Sequence, residues 1–213
     1  MHVELTDLFR CPGPHRESWL VAAAHRTESR VILDGVLGCP ECGAEYAIRD
    51  GVARFDERPP PFEHSGGDID PELPYRVAAL LNATDGSATL ALIGVSAALA
   101  RAMQSIVPVR CVVVDPPDEA SAPSALRAHD APLAIIRSHG TLPVAHGALH
   151  GVYASVGEPA AFTAALRPGG RLVAPASRTV PDGITELARD TRHWVGEKAA
   201  GVTPGALVEL KRR

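Results

Sequence analysis

Short continuous apolar runs recur along most of this chain, separated by Ala-rich or amphipathic stretches. Thr89-Leu90-Ala91-Leu92-Ile93 is one such run, closed by Gly94 and followed by Val95-Ser96 and an Ala-rich segment. It predicts a strand buried on both faces, a tight turn and a helix over 96–104. Further strands are expected at 108–114, 133–136, 149–155 and 171–175, and helices at 74–82, 124–129, 158–166 and 182–189. Two last strands, 191–198 and 206–211, have no helix between them and are expected to form an antiparallel hairpin at a sheet edge. Buried strands alternating with helices predict an α/β domain with a doubly wound, mostly parallel sheet. Ligands of such folds sit outside the carboxyl ends of the strands. The candidate positions are therefore Gly94, Val95, Ser96, Asp115, Ser138, His139, Ala154 and Ser155.

The first sixty residues follow another pattern. A helical turn is expected at 5–9, strands at 18–23 and 30–37, and a hairpin over 46–55 around Asp50-Gly51. Between these lie two knuckles, Cys11-Pro12-Gly13-Pro14-His15 and Cys39-Pro40-Glu41-Cys42-Gly43. Two knuckles joined by a β-ribbon suggest a zinc ribbon with Cys11, His15, Cys39 and Cys42 as ligands. The alternative is a pair of free or redox-active thiols at Cys39 and Cys42, with His15 on the surface. His2 and His25 are the competing histidines. Four protein ligands leave no open position, so the metal is expected to be structural and to supply much of the ribbon's folding free energy. Residues 56–74 hold five prolines and two glycines, which marks a boundary. The expected division is a ribbon over 1–57, a linker over 58–73 and an α/β domain over 74–213.

Composition narrows the function classes. Of 213 residues, 46% are apolar, enough for a real core. The net charge of −4 and the lack of a basic, aromatic stripe argue against nucleic-acid binding, and Lys211-Arg212-Arg213 reads as a solvated tail. The chain has no apolar run long enough for a membrane span and opens without a basic or apolar leader, so a cytoplasmic location is expected. In that compartment the cysteines favour metal over disulfides, and Cys111, inside an apolar strand, reads as an inert buried thiol. Gly94-Val95-Ser96-Ala97-Ala98 has only the first half of a nucleophile elbow, so a Ser-His-acid hydrolase is set aside.

Two resemblances follow from particular residues. Leu5-Thr6-Asp7-Leu8-Phe9-Arg10-Cys11-Pro12, Cys39-Pro40-Glu41-Cys42-Gly43 and Tyr46-Ala47-Ile48-Arg49-Asp50-Gly51-Val52 resemble the small zinc-ribbon proteins that activate tRNA and protein methyltransferases. The match covers about 4–56, with Cys11-x3-His15 in place of the usual first C-x-x-C and Ala47 in place of proline. In that family the ribbon covers an apolar surface on a methyltransferase; here the implied partner is the rest of the same chain. That remainder resembles the class I S-adenosylmethionine-dependent methyltransferases. Leu166-Arg167-Pro168-Gly169-Gly170-Arg171-Leu172-Val173 is similar to the turn before that family's fifth strand, and 140–152 is similar to the stretch entering its fourth. Val113-Val114-Asp115-Pro116 is similar to the end of its second strand, where an acid holds the ribose hydroxyls.

The departures fall on the cofactor turn. Where the family has an acid and three glycines, this chain has Leu92, then Gly94, Ser96 and Ala98. The resemblance places any cofactor contacts at Gly94, Ser96, Asp115 and Ser138, with no catalytic residue assigned. The expectation is a non-catalytic, methyltransferase-like protein with a built-in zinc ribbon, acting as a protein-binding or regulatory partner of a methyltransferase or of a second copy. The alternative is an active methyltransferase with a divergent cofactor turn.

Overall fold

A computed structural model describes residues 1–58, 70–128 and 130–200 of the chain. The N-terminal strands are β1 (Val21–Glu28), β2 (Val31–Gly38), β3 (Glu45–Arg49) and β4 (Val52–Arg54). Then come β5 (Thr89–Ile93), β6 (Arg110–Val114), β7 (Leu133–Arg137), β8 (Leu149–Ala154), β9 (Leu166–Pro175), β10 (Ile184–Arg189) and β11 (His193–Lys198). The helices are α1 (Leu73–Leu80), α2 (Ala97–Ile106) and α3 (Ala122–Arg127), with 3-10 segments at Val3–Leu8, Glu119–Ser121 and Pro159–Ala165.

Among the described residues the strands form one eleven-stranded sheet in the order β1-β2-β3-β4-β7-β6-β5-β8-β9-β11-β10. The strands from β4 through β7, β6, β5 and β8 to β9 are parallel, and the strands flanking them on both sides pair antiparallel. Strand order reverses beside β5, so the crevice at its carboxyl end is the topological switch point of this α/β fold.

The continuous apolar runs are explained by two cores, one on each face of the sheet. Leu90, Leu92, Cys111, Val113, Leu133 and Ile135 pack toward Val77 of α1, Leu99 and Met103 of α2 and Leu126 of α3. Ala91, Ile93, Val112, Val114 and Ile136 face the other way, toward Leu5, Phe9, Phe162 and Trp194. Each fully buried Leu, Ile or Val contributes roughly 1.5–3 kcal/mol of transfer free energy.

The ribbon is built into this sheet by its last strand. Val52, Ala53 and Arg54 pair in parallel with Ile135, Ile136 and Arg137. The hairpin leading to β4 turns at Asp50 and Gly51, with φ of 49° and 83°, the left-handed pair that a type I′ turn requires. Backbone hydrogen bonds seal the same junction, among them Arg10 N–H to the Pro143 carbonyl, Ala145 N–H to that of Leu8, Phe55 N–H to that of Arg137 and His2 N–H to that of Leu133. His2 adds a side-chain link, its Nδ1 accepting from the Leu133 N–H at 2.7 Å. Glu119 bridges Arg54 of β4 and Arg137 of β7.

The structure corrects several expected elements. Residues 158–166 form a 3-10 segment, Pro159–Ala165, in place of an α-helix, with buried Phe162 as its anchor. Residues 182–189 form no helix. Ile184, Leu187 and Ala188 have helical spacing, but Ile184–Arg189 is an exposed edge strand paired with β11. Gly196 makes that pairing possible, because a Cβ there would come within 2.4 Å of the Ile184 side chain. The antiparallel edge hairpin is thus β10–β11, one strand earlier than expected, and 206–211 lies outside the described residues. The fifth parallel strand starts at Leu166, so the Pro-Gly-Gly turn is an irregularity within β9, where the pairing with β8 shifts register. The expected linker prolines at 59–61 and glycines at 66–67 also lie outside the described residues.

Candidate metal centre and cofactor cleft

The two knuckles converge. The ligand atoms of Cys11, His15, Cys39 and Cys42 all lie within 4.8 Å of one another. Cys11 Sγ is 3.8 Å from Cys42 Sγ, and Cys39 Sγ is 3.5 Å from His15 Nε2. A tetrahedral zinc with bonds of about 2.3 Å to sulfur and about 2.0 Å to nitrogen needs edges of about 3.8 Å and about 3.5 Å. The donor set and spacing therefore fit a structural zinc.

Local backbone explains how the unusual Cys-x3-His spacing reaches this geometry. Gly13 lets the first knuckle fold tightly: a Cβ there would lie 3.1 Å from the His15 ring and 3.3 Å from Cys11 Sγ. The His15 Nδ1 sits 2.6 Å from the Arg16 carbonyl, so it carries the proton and leaves Nε2 to face the sulfurs. In the second knuckle the Gly43 N–H donates to the Cys39 carbonyl, and Gly43 takes a φ of 71°. Desolvation raises the Cys39 thiol, but hydrogen bonds from the backbone N–H groups of Cys42 and Glu41 and from the Cys42 and Cys11 side chains together outweigh it, leaving its pKa at about 6. Tyr46 supports the cluster from below, its hydroxyl 3.3 Å from Cys11 Sγ. His2 is committed to the Leu133 N–H, and His25 is exposed on β1, so neither joins the cluster.

The second candidate site lies at the carboxyl ends of β5 and β8. A cleft of 380 Å³ opens there, lined by Gly94, Val95, Ser96, Tyr153, Ser155 and Val156 among others. Of the four expected cofactor contacts, Gly94 and Ser96 line it; Asp115 and Ser138 do not.

Each of these four residues has an internal role. Gly94 holds a φ of 69°, and a Cβ on it would come within 2.1 Å of a Val156 methyl. The glycine is required by this packing against Val156. Ser155 bridges the same point, its Oγ 3.1 Å from the carbonyls of both Ile93 and Gly94. Ser96 is the N-cap of α2: its Oγ accepts from the Ala98 N–H and donates to Asp118 Oδ2 at 2.7 Å. Asp115 is fully buried with a φ of 49°, and its carboxylate turns toward β7. Oδ1 accepts from the Ser138 N–H at 2.9 Å, and Oδ2 accepts from the Gly140 N–H at 2.8 Å. Ser138 in turn donates to the Thr141 carbonyl. Leu92, where the resemblance leads one to expect an acid, is wholly buried in the helix-side core.

Sequence reasoning missed Val156, Asp118 and the Tyr153–His193 pair, whose hydroxyl and Nε2 are 3.1 Å apart. Val156 directly follows the Ala154-Ser155 strand end, a position where a bulky residue is a readable obstruction. His193 is brought in by the misassigned β10–β11 hairpin, which carries no local signal for that approach.

No protein-family model matches the chain, and no curated protein matches it. Solved structures with a similar fold include a 1,6-didemethyltoxoflavin-N1-methyltransferase from Burkholderia thailandensis, 15% identical, with a TM-score of 0.48 over 62% of this chain and 80% of that one. A tRNA methyltransferase, TrmI from Aquifex aeolicus, is 14% identical with a TM-score of 0.46 over 66% and 73%. A complex from Haloferax volcanii between a methyltransferase activator and a putative methyltransferase gives 13% and 0.46 over 62% and 91%. The chain spans 43% of the length of a geranyl diphosphate methyltransferase that it also resembles, at 14% identity and a TM-score of 0.42. These likenesses concern the fold, and the α/β architecture stands on the chain's own strand order.

Proposed function

We propose that this chain is a methyltransferase-like protein that has lost its use of S-adenosylmethionine and works as a binding or regulatory protein in the cytoplasm, held in shape by its own zinc ribbon. The observation that carries this reading is the packing at the glycine turn: Val156 stands against Gly94, where a Cβ would come within 2.1 Å of its methyl, and narrows the cleft at that point. A nucleotide-type cofactor needs close backbone approach at that glycine. The Asp115 carboxylate supports the same reading, because its oxygens serve the backbone of the Ser138–Gly140 turn. Buried Leu92 offers no charge to orient a methionine amino group.

The ribbon's role follows from its pairing. Its β4 edge is occupied by β7 of the same chain, so it acts in cis, extending the sheet and covering apolar surface around Phe9 and Val144. Zinc at Cys11, His15, Cys39 and Cys42 would hold that cover in place, and the domain division at residues 57 and 73 belongs to this proposal. A protein partner, whether a methyltransferase or a second copy, would then meet a surface other than the β4 edge.

Calorimetric titration of the zinc-loaded protein with S-adenosylmethionine and S-adenosylhomocysteine tests the reading. No binding at millimolar ligand is expected; micromolar binding would favour an active enzyme with a divergent turn. Zinc content of His15→Ala, measured beside the parent, tests the fourth ligand. An unchanged content would remove His15 from the site.

A further inference from the structure

The residual cleft has polar groups that the closed turn does not use. Arg76 projects into its wall from α1, and Arg192 does so from the turn between β10 and β11. Their guanidiniums converge on a single atom at the mouth, Asp70 Oδ2, at 3.7 Å from Arg76 Nη2 and 3.9 Å from Arg192 Nη1. Both distances exceed hydrogen-bond length, and among the described residues neither guanidinium makes a hydrogen bond. Two partly solvated cations thus share one partly exposed carboxylate, and neither forms a hydrogen bond with it. Asp190 adds a second negative charge nearby, felt by Arg76, but its Oδ1 is held by the backbone N–H groups of Arg192 and His193 and makes no ion pair with either guanidinium.

The rest of the cleft is of a different character. Leu73, Leu99 and Val156 supply apolar wall, and the Tyr153 hydroxyl, paired with His193 Nε2, supplies a polar group. Burial pushes the Tyr153 hydroxyl up and the His193 ring down, so both are neutral at physiological pH. His193 Nδ1 is buried without a hydrogen-bond partner. A cavity of this size with apolar walls and a few polar groups is typical of small-molecule sites.

We propose that this cleft binds a small carboxylic acid with an apolar, hydroxyl-bearing body, whose carboxylate replaces Asp70 between Arg76 and Arg192. The planar guanidinium fork matches a carboxylate in bidentate geometry, which the Asp70 side chain does not achieve from its position on the rim. Asp70 acts as a built-in competitor that holds the arginines together when the cleft is empty of ligand. The apolar body lies against Leu73 and Leu99, and its hydroxyl meets the Tyr153–His193 pair. This inference rests on the reading of the cleft as closed to S-adenosylmethionine.

The test is calorimetric titration of the full zinc-loaded chain with 4-hydroxyphenylacetate, 4-hydroxyphenylacetamide and phenyl phosphate. The acid is expected to bind at least about tenfold more tightly than the amide, because only the acid offers a charge-assisted pair. Arg76→Gln and Arg192→Gln should each weaken the acid by about tenfold and leave the amide unchanged. Asp70→Asn should tighten it by about threefold or more, by removing the competitor. Circular dichroism of each variant checks that the fold is retained.

Equal affinity for acid and amide, or an Asp70→Asn variant that binds the acid no better, would overturn the proposal. So would binding of phenyl phosphate without the acid. S-adenosylhomocysteine is titrated in parallel. If it binds and displaces the acid, the closed-turn reading fails while the arginine anchor stands. If neither ligand binds, the carboxylate proposal fails alone.

Discussion

The two candidate sites of this molecule are built from the same kinds of parts, a glycine-bearing turn with polar side chains around it, and they commit those parts differently. In the two cysteine knuckles, Gly13 and Gly43 shape the backbone so that four donor atoms converge on one point. At the carboxyl end of β5, Gly94 bends the backbone and the chain's own Val156 packs against it, narrowing the cleft that both residues line. The hydrogen bonds differ in the same way. At the ribbon they orient donors toward a shared point, as the Arg16 carbonyl does for His15. At the cofactor turn they consume the side chains that a ligand would need, as Ser138 and Gly140 do for Asp115. A site is therefore recognised by unspent valence, not by the presence of its residue types.

Breaking the ribbon should have the largest effect. Cys39→Ser removes one of four ligands, and the expected result is loss of bound zinc with destabilisation of several kcal/mol, because metal binding is coupled to folding in so small a module. Metal analysis and thermal melting check this. A variant that keeps its zinc and its melting temperature would place Cys39 outside the centre.

The next effect separates a ligand contact from a structural one. Asp115→Ala leaves the buried N–H groups of Ser138 and Gly140 without their acceptor and puts alanine at a φ of 49°. A loss of about 3 kcal/mol in chemical denaturation is expected. Asp115→Asn, which keeps an acceptor and tolerates this φ, should lose less. If both variants were as stable as the parent, the carboxylate would not be holding the 138–140 turn.

A pH series sharpens the link between the two regions. His2 joins the ribbon to β7, and burial pushes its pKa down from 6.5 to about 4. The unfolded chain takes up a proton near the ordinary value, and the folded chain resists until about 4. Stability from His2 is thus present above pH 6.5, declines as pH falls through that window and levels off below about 4. Its size is on the order of 2 kcal/mol. Replacing His2 with Asn should flatten this part of the profile, and an unchanged slope would assign the acid sensitivity elsewhere.

The smallest effect concerns Val156. Val156→Ala removes two methyl groups from a partly buried position and should cost about 1 kcal/mol. It should not restore cofactor binding, because Leu92 and the engaged Asp115 remain. Tight binding of S-adenosylhomocysteine by this variant would mean that Val156 alone closes the turn.

Much of the architecture was legible in the sequence because it depends on burial. Leu90–Ile93, Cys111–Val114 and Leu133–Ile136 are apolar at every position, and each proved to serve a core on both faces of the sheet. The Cys11, His15, Cys39 and Cys42 cluster was legible for a related reason, since the residues within each knuckle are local in sequence. Edge structure was not. Ile184–Arg189 carries helical spacing, and its conversion to a strand depends on β11, a partner no window of that length contains. The role of Asp115 was equally hidden. An acid after a strand reads the same whether it faces a ribose or a neighbouring loop, and only the position of residues 138–140 decides between them.

The central proposal is that the turn at Gly94 does not take S-adenosylmethionine while the Cys11, His15, Cys39 and Cys42 cluster holds zinc. The most direct measurement is a calorimetric titration of the zinc-loaded chain with S-adenosylhomocysteine. The account predicts no binding at ligand concentrations up to about 1 mM. A micromolar dissociation constant at one site per chain would contradict it.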